Sequence, residues 1–194
     1  MVYTKRYIKY MVSLRCKTIL REELAKTGLK YSISAHGAIE FKEEVQKNRL
    51  DQLRKNLSKS GLVLLDENDS KLIDGIINAV TEVIHYSDEL PNLSFEDIID
   101  SKLGLKGDAI LKIFSDVKGI SIIQFIVLQK IERAKELLLY DNLSQAGISE
   151  KLRYKNENYF IAQFKKHTGL TPSYFKKLRR ERSIKASEAK KVPS

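Results

Sequence analysis

An internal repeat in the first third of the chain limits the folds that are open to these 194 residues. Residues 20–33 and 53–66 share Leu, Arg, Leu, Lys, Gly and Leu in register, and each copy runs from a helical pattern into a β-like run. Gly28 and Gly61 stand where the helical pattern stops, and glycine suits the left-handed residue that commonly ends a helix. The repeat therefore predicts two helix–strand units built in the same way.

The segments around the two copies complete a recognisable order of elements. Gly37 is placed to turn a hairpin between the copies, and a short β-like run precedes the first copy. The predicted order is β (5–10), α (15–27), β (30–35), β (38–43), α (47–59) and β (62–66). This is the split βαβ order of a ferredoxin-like sandwich. We therefore expect an α+β, ferredoxin-like βαββαβ domain over residues 1–68.

Residues 69–91 predict a connecting helix followed by a linker that contains Pro91. Asp69 or Ser70 would cap this helix. Its apolar stripe consists of Leu72, Ile76, Ile77, Val80 and Ile84. Such a stripe packs either on its own domain or on a partner, and the second alternative is a homodimer through the N-terminal domain or helix 69–86.

The junction after the first predicted strand reads Met11-x-Ser13-x-x-Cys16. Together with the repeat, it makes residues 5–66 resemble a heavy-metal-associated domain in which one ligand is lost. The resemblance implies a loop that grips Cu(I) between two thiolates, and a serine hydroxyl is a poor substitute for soft sulfur. We therefore predict no metal site and no cofactor, and keep Cys16 as a weak candidate for metal binding or thiol chemistry. His36 and His85 are the histidines that would assist it.

Net charge is distributed unevenly along the chain. The total is +10, and residues 151–194 alone carry 13 Lys/Arg against 3 Asp/Glu. Such a surplus is either a solvated tail that aids solubility or a surface that binds a polyanion, most naturally nucleic acid.

Other global features exclude several classes of protein. A single cysteine fits a reducing compartment, and no run of about 18 apolar residues predicts a membrane span. The N-terminus lacks the apolar core of a secretory signal. The expectation is a soluble cytoplasmic protein without a membrane partner. A Gly-rich phosphate loop, HExxH, Cys-x-x-Cys and a nucleophile beside a base are all missing from the sequence, so we predict no catalytic residues and no enzyme.

The second half of the chain predicts two pairs of short helices on a spacer. The first pair covers residues 95–103 and 108–119, with Ser94 as cap, and the second covers residues 146–152 and 157–167. Between them, helix 121–140 would span roughly 30 Å, which approaches one turn of DNA. Its predicted buried stripe is Ile123, Val127, Ile131, Ala134 and Leu138. Two helix-turn-helix pairs at this spacing suit two successive major grooves of DNA.

Residues 92–180 resemble the AraC-type double helix-turn-helix domain. The motifs that carry the resemblance are Arg133-Ala134-x-x-Leu137-Leu138, Tyr159-Phe160-x-x-x-Phe164-Lys165 and Gly169-x-Thr171-Pro172. Ser149 and Arg153 depart from the family pattern, which has alanine and glycine at these positions. The resemblance implies an all-α C-terminal tandem helix-turn-helix DNA-binding domain at residues 92–182. We expect residues 183–194 to form a disordered basic tail.

The resemblance also implies which residues contact DNA. Exposed residues in the first two turns of each reading helix approach base edges, and nearby lysines approach phosphates. In the second pair the base-facing residues are Asn156, Glu157, Asn158, Ile161 and Ala162, and the phosphate-facing residues are Lys155, Lys165 and Lys166. The first pair offers Lys106, Gly107, Asp108, Leu111 and Lys112. The alternative for each of them is an ordinary solvated position near a helix start.

The sequence thus predicts a sequence-specific, DNA-binding transcription regulator of AraC type, with double-stranded DNA as partner, an N-terminal sensor or dimerisation domain and an effector still to be identified. Acidic residues in the first helix pair suggest that the second pair supplies most of the affinity. The alternative is a metal- or thiol-handling ferredoxin-like protein whose helical C-terminal domain mediates protein contacts.

Overall fold

The structure, a computed structural model, describes residues 4–34, 37–91, 94–104, 108–141 and 143–189. Two compact units are present. The unit that contains the β-strands, named here the sheet unit, comprises Met1–Ala79 and Ser94–Gln124. The other, named the helical unit, comprises Val80–Leu93 and Phe125–Ser194. The domain boundaries after residues 68 and 91 remain predictions.

Five short strands and nine α-helices make up the described part of the chain. In chain order they are β1 (Thr4–Arg6), β2 (Ile8–Lys9), α1 (Leu14–Thr27), β3 (Tyr31–Ile33), β4 (Ile39–Phe41), α2 (Lys47–Ser58), β5 (Val63–Leu64), α3 (Glu67–Thr81), α4 (Phe95–Leu103), α5 (Asp108–Lys118), α6 (Ile122–Tyr140), α7 (Gln145–Lys151), α8 (Glu157–Thr168) and α9 (Pro172–Ala189). A single π turn, Glu82–Tyr86, follows α3. No helix among the described residues has the length and apolar character that a membrane span requires.

The strands pair antiparallel throughout. β1 pairs with β4, β4 pairs with β3, and β2 pairs with β5. The first predicted strand is divided at Tyr7, whose N–H donates to Ser70 Oγ at 3.2 Å and whose hydroxyl donates to Asp74 Oδ1 at 2.7 Å. Because Tyr7 is bound to α3, it leaves the ladder, and two short strands replace one. All the predicted strands exist, but each is shorter than the sequence indicates.

The repeated leucines form the core of the sheet unit. Leu20 and Leu24 of α1 and the equivalent Leu53 and Leu57 of α2 are completely buried. They share one cluster with apolar residues of the strands, Ile8, Ile39, Phe41 and Leu64, and with Leu62 just before β5. The repeat thus places two helices against the same sheet residues. A small α+β N-terminal region is confirmed, and its assignment to the ferredoxin-like fold remains a prediction.

Helix α3 begins before the predicted caps. Asp66 Oδ1 accepts the N–H of Asp69 at 2.8 Å, so Asp66 caps the helix and the prediction of Asp69 or Ser70 is wrong. Ser70 is buried and used by Tyr7 instead. In the predicted stripe, Leu72 is half-buried, and the other members, Ile76, Ile77, Val80 and Ile84, are buried within the chain itself.

The first helix pair, α4 and α5, belongs to the sheet unit. Ser94 caps α4 in a reciprocal capping box with Asp97, as the sequence predicts for Ser94. Phe114 of α5 is completely buried. The last turns of α5 lie against β2, where the N–H of Tyr10 donates to the carbonyl of Asp116 at 2.8 Å. No pattern in the sequence predicts this association.

Helix α6 confirms most of its predicted stripe. Ile131, Ala134 and Leu138 are buried and Val127 is half-buried, but Ile123 is 62% exposed. The prediction for Ile123 is wrong because Ile122, Phe125 and Ile126 are buried instead. The first turn of α6 is therefore buried at the position before Ile123. Continuing the buried stripe with a spacing of three and four residues did not predict this.

Candidate nucleic-acid interface

Helix α8 is fixed from its inner side by an aromatic cluster. Phe160 and Phe164 are completely buried, and their ring centroids lie 5.8 Å apart. Tyr154, in the preceding turn, lies 5.3 Å from Phe160, and Phe175 of α9 lies 5.6 Å from Phe164. Pairs of aromatic rings favour tilted or edge-on arrangements, and such contacts add to the free energy gained by burial. The cluster therefore sets the direction in which the outer face of α8 points.

The outer face of α8 carries most of the predicted second-pair residues. Asn158, Ala162, Lys165 and Lys166 are exposed, and their spacing of four, seven and eight residues puts them on one side of the helix. Glu157 at the first position and Lys155 just before the helix are also exposed, whereas Ile161 is half-buried. The structure therefore brings these side chains together as an accessible stripe, which we name the α8 stripe: Glu157, Asn158, Ala162, Lys165 and Lys166.

Asn156 has a different local role from the rest of the predicted set. It is the cap of α8, and its Oδ1 accepts the N–H of Tyr159 at 2.8 Å. An asparagine in this position satisfies one of the backbone N–H groups that have no partner within the helix. The amide oxygen is thus engaged in starting the helix, and the NH₂ group is the part that can still donate elsewhere.

The turn that precedes α8 contains the departure noted at Arg153. Its φ is +49°, in the left-handed region where the family pattern has glycine and where a side chain is strained. The Arg153 Nε donates to the carbonyl of Leu90 at 2.5 Å. The Arg153 side chain therefore connects this turn to the linker, and a glycine at this position could not make that hydrogen bond. Ser149, the other departure, is buried in α7.

Tyr154 and Lys130 form a second contact of this turn. The Lys130 ammonium lies 5.5 Å from the centre of the Tyr154 ring. Burial lowers the pKa of Lys130, with a further contribution from Arg153, and burial raises the pKa of the Tyr154 phenol. These groups support the turn from inside and are not part of the accessible surface of α8.

A cavity of about 440 Å³ lies near the starts of α7, α8 and α9, a feature that the sequence did not reveal. Gln145 Nε2 donates to Ser173 Oγ at 2.8 Å across it, and Lys176 and Glu157 line it. Helix starts and an ammonium group attract anions, whereas the Glu157 carboxylate repels them. The Ser, Asn and Thr caps at 144, 156 and 171 are the sequence signal that could have located it.

The first helix pair shows fewer of its predicted contacts. Leu111 is 39% exposed and Lys112 is exposed, both near the start of α5. Asp108 is the first residue of α5. Lys106 and Gly107 lie outside the described residues. Asp116, one of the acidic residues of this pair, is bound to Lys9 and Tyr10, and Asp97 is bound to Ser94.

Helix α9 carries the largest part of the basic surplus. It begins as the sequence predicts, with Pro172 in its first position and Thr171 Oγ1 accepting the N–H of Tyr174 at 3.3 Å. Its basic residues are Lys176, Lys177, Arg179, Arg180, Arg182 and Lys185. The helix continues to Ala189, so the predicted start of a disordered tail at residue 183 is too early, and residues 190–194 lie outside the described part.

Ser13 has a structural role at the Cys16 junction. Ser13 caps α1, its Oγ accepts the N–H of Cys16, and the same Oγ lies 3.2 Å from Cys16 Sγ. The hydrogen bond from the Ser13 hydroxyl is the main cause that lowers the pKa of the Cys16 thiol. Among the described residues, no group of three or more His, Cys, Asp and Glu side chains is arranged to hold a metal ion.

Of the two histidines named beside Cys16, only His85 is described. It lies in the helical unit, with its Nε2 at 3.2 Å from Gln129 Oε1 and its Nδ1 at 3.4 Å from Glu136 Oε1. His36 lies outside the described residues.

Residues 101–178 match the family described as "Helix-turn-helix domain". Among curated proteins, the chain is 34% identical over 95 residues to the uncharacterized transcriptional regulatory protein YesN of Bacillus subtilis (strain 168), which covers 47% of this chain and 26% of that protein. It is 29% identical over 149 residues to the DNA-binding dual transcriptional regulator Rns of Escherichia coli, which covers 68% of this chain and 55% of that protein.

Among solved structures, the C-terminal domain of AraT, a response regulator from Geobacillus stearothermophilus, is 24% identical with a TM-score of 0.48, covering 56% of this chain and 86% of that one. The chain spans only 13%, 26% and 31% of the length of three curated relatives that it matches. The family match spans helices α5 to α8 and parts of α4 and α9.

Proposed function

We propose, from the helix-turn-helix domain of residues 101–178, that this protein is a sequence-specific DNA-binding transcription regulator of the AraC type. One observation carries the proposal: the α8 stripe is exposed, while the opposite face of the same helix is held by buried Phe160 and Phe164. A helix that is rigidly supported on one side and polar on the other can enter a major groove without rearrangement.

Each member of the α8 stripe has a chemistry that DNA can use. The Asn158 amide can pair with an adenine edge through two hydrogen bonds, and the Glu157 carboxylate can accept from cytosine N4. Ala162 has only a methyl group, which suits contact with a thymine methyl. Lys165 and Lys166, two turns further on, suit phosphates, which fix the position of the helix without reading sequence. Lys155 has the same role before the helix.

The basic side chains of α9 support the same function. Neutralising phosphates with lysine and arginine releases counterions, and binding then weakens as salt rises. The net charge of residues 151–194 is +10, and that of the other residues is zero. The proposal also has α5 reading a second, weaker half-site through Leu111 and Lys112, in the next major groove. A DNA-binding role requires the compartment that holds DNA, which agrees with the expected cytoplasmic location.

For the N-terminal region we propose a ferredoxin-like sensor or dimerisation module. Its support is the antiparallel order β5–β2 and β1–β4–β3, in which β1 and β2 are two parts of one predicted strand, with α1 and α2 in the same core. A homodimer draws no support from the stripe of α3, because Ile76, Ile77, Val80 and Ile84 are buried within the chain. The relatives matched by the chain are named as regulators, and none of the observations favours a metal-handling function over DNA binding.

Selection of the full chain against a random duplex library tests the proposal. The expected result is one recovered motif whose affinity falls steeply with salt, because lysine and arginine contacts displace counterions. The double variant Lys165→Ala, Lys166→Ala should lower the slope of log affinity against log salt by about 2. The matched control removes two exposed lysines from α2 and the turn after it, Lys55→Ala and Lys59→Ala, and should leave the slope unchanged.

Two results would contradict the proposal. One is recovery of no motif by a chain whose circular dichroism shows it to be folded. The other is a motif whose binding is equally insensitive to the α8 double variant and to the α2 control, because the α8 stripe would then lie away from the DNA.

A further inference from the structure

We infer that Lys9 and Tyr10, at the end of β2, position the first reading helix α5, so that the N-terminal sheet is a working part of DNA recognition. The inference rests on the proposed function, since it assigns a role to residues that would act through α5. Lys9 and Tyr10 are positioning residues here, because neither lies among the side chains proposed to contact DNA.

Three contacts join the end of β2 to one residue of α5. The N–H of Tyr10 donates to the carbonyl of Asp116 at 2.8 Å. The Lys9 ammonium lies 3.9 Å from Asp116 Oδ2, and the Tyr10 hydroxyl is 3.4 Å from the same oxygen. The side chains of Lys9 and Asp116 are 18% and 21% exposed, so solvent screens this pair less than it screens an ion pair on the open surface. Both the backbone and the side chain of Asp116 are therefore held.

The backbone of Tyr10 is strained in a way that fits this role. Its φ is +66°, and it is one of the two described residues other than glycine with a positive φ. The side chain is 46% exposed, so burial of the ring does not account for the conformation. Strained residues persist where the surrounding structure holds them in place, and they are found at functional positions more often than elsewhere. The conformation directs the Tyr10 N–H at Asp116.

The position of Asp116 along α5 explains how the contact reaches the DNA-facing residues. Asp116 lies four residues after Lys112 and five after Leu111, about one turn along the same helix. The end of α5 is anchored at Asp116, while the exposed Leu111 and Lys112 are presented nearer its start. A shift of the anchored turn changes the direction of the helix and hence the placement of those two side chains.

The charged groups around the contact agree with a specific pairing. Lys9 is the cation that faces Asp116, and Lys118 at the end of α5 lies near Lys5 of β1. Burial lowers the pKa of Lys118, and the nearby Lys5 lowers it further. α8 belongs to the helical unit, so a change at the end of β2 should affect the half-site of α5 and spare that of α8.

A split operator tests the inference in the full chain. Selection first gives the motif, and the half that loses preference in Leu111→Ala is assigned to α5. The measured quantity is the ratio of Kd for a duplex with that half scrambled to Kd for the intact duplex, because nonspecific effects of charge cancel in a ratio. We expect Lys9→Glu to lower this ratio about fivefold, as loss of a partly shielded ion pair is a modest effect.

Two further variants separate positioning from general damage. The exchanged pair Lys9→Glu, Asp116→Lys restores the attraction and should return the ratio toward that of the wild type. The control Glu67→Ala removes the ion pair between Arg6 of β1 and α3, does not touch α5, and should leave the ratio unchanged. Hydrogen exchange without DNA provides a second readout: amides of residues 111–118 should exchange faster in Lys9→Glu than in Glu67→Ala.

The outcomes are distinguishable from failure of the proposed function. Recovery of no motif would overturn the regulator proposal, and this inference with it. A motif whose ratio is the same in the wild type, Lys9→Glu and Glu67→Ala would leave the regulator proposal standing and overturn the positioning role. Unchanged exchange at residues 111–118 in a folded Lys9→Glu variant would also overturn it. If Lys9→Glu fails to fold, Tyr10→Phe takes its place, because it removes only the hydroxyl contact. Tyr10→Phe is compared with Glu67→Ala in the same two measurements. Equal Kd ratios and equal exchange rates in these two variants would overturn the positioning role.

Discussion

The two helix pairs of this chain share a pattern but are stabilised in different ways. The second pair has its own aromatic cluster, in which Tyr154, Phe160, Phe164 and Phe175 contact one another within about twenty residues of sequence. The first pair lies in the same compact unit as the N-terminal sheet, and its helix α5 is bound by Tyr10, more than a hundred residues away. The comparison shows that one sequence motif can be supported either by local packing or by distant contacts.

The pairs also differ in what their charged residues do. In the first pair, the carboxylates of Asp97 and Asp116 are used inside the protein, by Ser94 and by Lys9 with Tyr10. In the second pair, Lys165 and Lys166 are exposed on the outer face of α8. The acidic character that the sequence shows around α5 is thus partly structural. The second pair offers positive charge to solvent, which supports its proposed larger share of DNA affinity.

The largest expected effect concerns the local core of the second pair. Phe164→Ala removes a completely buried ring that contacts Phe160 and Phe175, and it should lower the free energy of unfolding by about 3–5 kcal/mol. Urea titration followed by circular dichroism measures this change. Tyr174→Ala, at a 49% exposed side chain of α9, is the control and should change stability by less than about 0.5 kcal/mol. If Phe164→Ala lowers the free energy of unfolding no more than the control does, the second pair is not stabilised by its aromatic cluster, and the proposed difference between the pairs is wrong.

A smaller effect is expected on base reading. Asn158→Ala should cost about 1–3 kcal/mol of binding to the selected duplex and relax the preference at one base pair, because two hydrogen bonds to a base edge are lost. Leu111→Ala in the first pair should cost less, since an apolar side chain makes no such hydrogen bonds. Competition binding with single-base variants of the motif measures both. If Leu111→Ala costs more than Asn158→Ala, the first pair is the main reader.

Loss of the α8 cap should be smaller again. Asn156→Ala leaves the N–H of Tyr159 without its acceptor and should reduce the stability of the helical unit by about 1 kcal/mol. Asn156→Asp keeps an acceptor at the same place and should retain most of the stability. Thermal unfolding compares the three proteins. If Asn156→Ala alters the preferred base and leaves stability intact, then Asn156 reads DNA, and its role as a cap is secondary.

The smallest expected effect is on thiol reactivity at the Cys16 junction, and it is separate from the stability that the Ser13 cap gives to α1. Ser13→Ala removes the hydroxyl that stabilises the thiolate, so the pKa of Cys16 should rise toward its ordinary value. At a pH below that ordinary value the thiolate fraction then falls, and iodoacetamide should react more slowly; well above it the two proteins should react alike. Ser13→Thr keeps a hydroxyl and serves as the control. Equal rates for wild type and Ser13→Ala across the titration would show that the hydroxyl has no such influence.

Much of the local structure could be predicted from sequence because its causes are local. The caps Ser94 and Thr171 and the glycines at 28 and 169 act on their own helices, and each is found at the expected terminus. The leucines of the repeat occupy equivalent core positions because helical spacing alone decides which face is apolar. One failure occurred where a distant residue intervened, because Tyr7 left its strand for Asp74. The failure at Ile123 has a local cause, because Ile122, Phe125 and Ile126 of the same helix are buried instead.

In the proposed site, too, some features could be predicted from local spacing and others could not. The sequence placed Asn158, Ala162, Lys165 and Lys166 on one face of a helix, since spacing determines that, and the structure has them exposed together. It could not distinguish Asn156 from its neighbours, because the hydrogen bond to Tyr159 depends on the conformation of the turn. Which residues meet the bases stays a prediction.

The sequence by itself determined the order and type of the helices, the apolar faces of the repeat and the concentration of positive charge after residue 150. Each of these follows from composition and spacing within a few turns of chain. Only the tertiary structure decided that α5 is held by Lys9 and Tyr10 and that Arg153 adopts a left-handed conformation bound to Leu90. These contacts join residues 63 to 107 positions apart, and no periodicity in a sequence records which distant groups will meet when the chain folds.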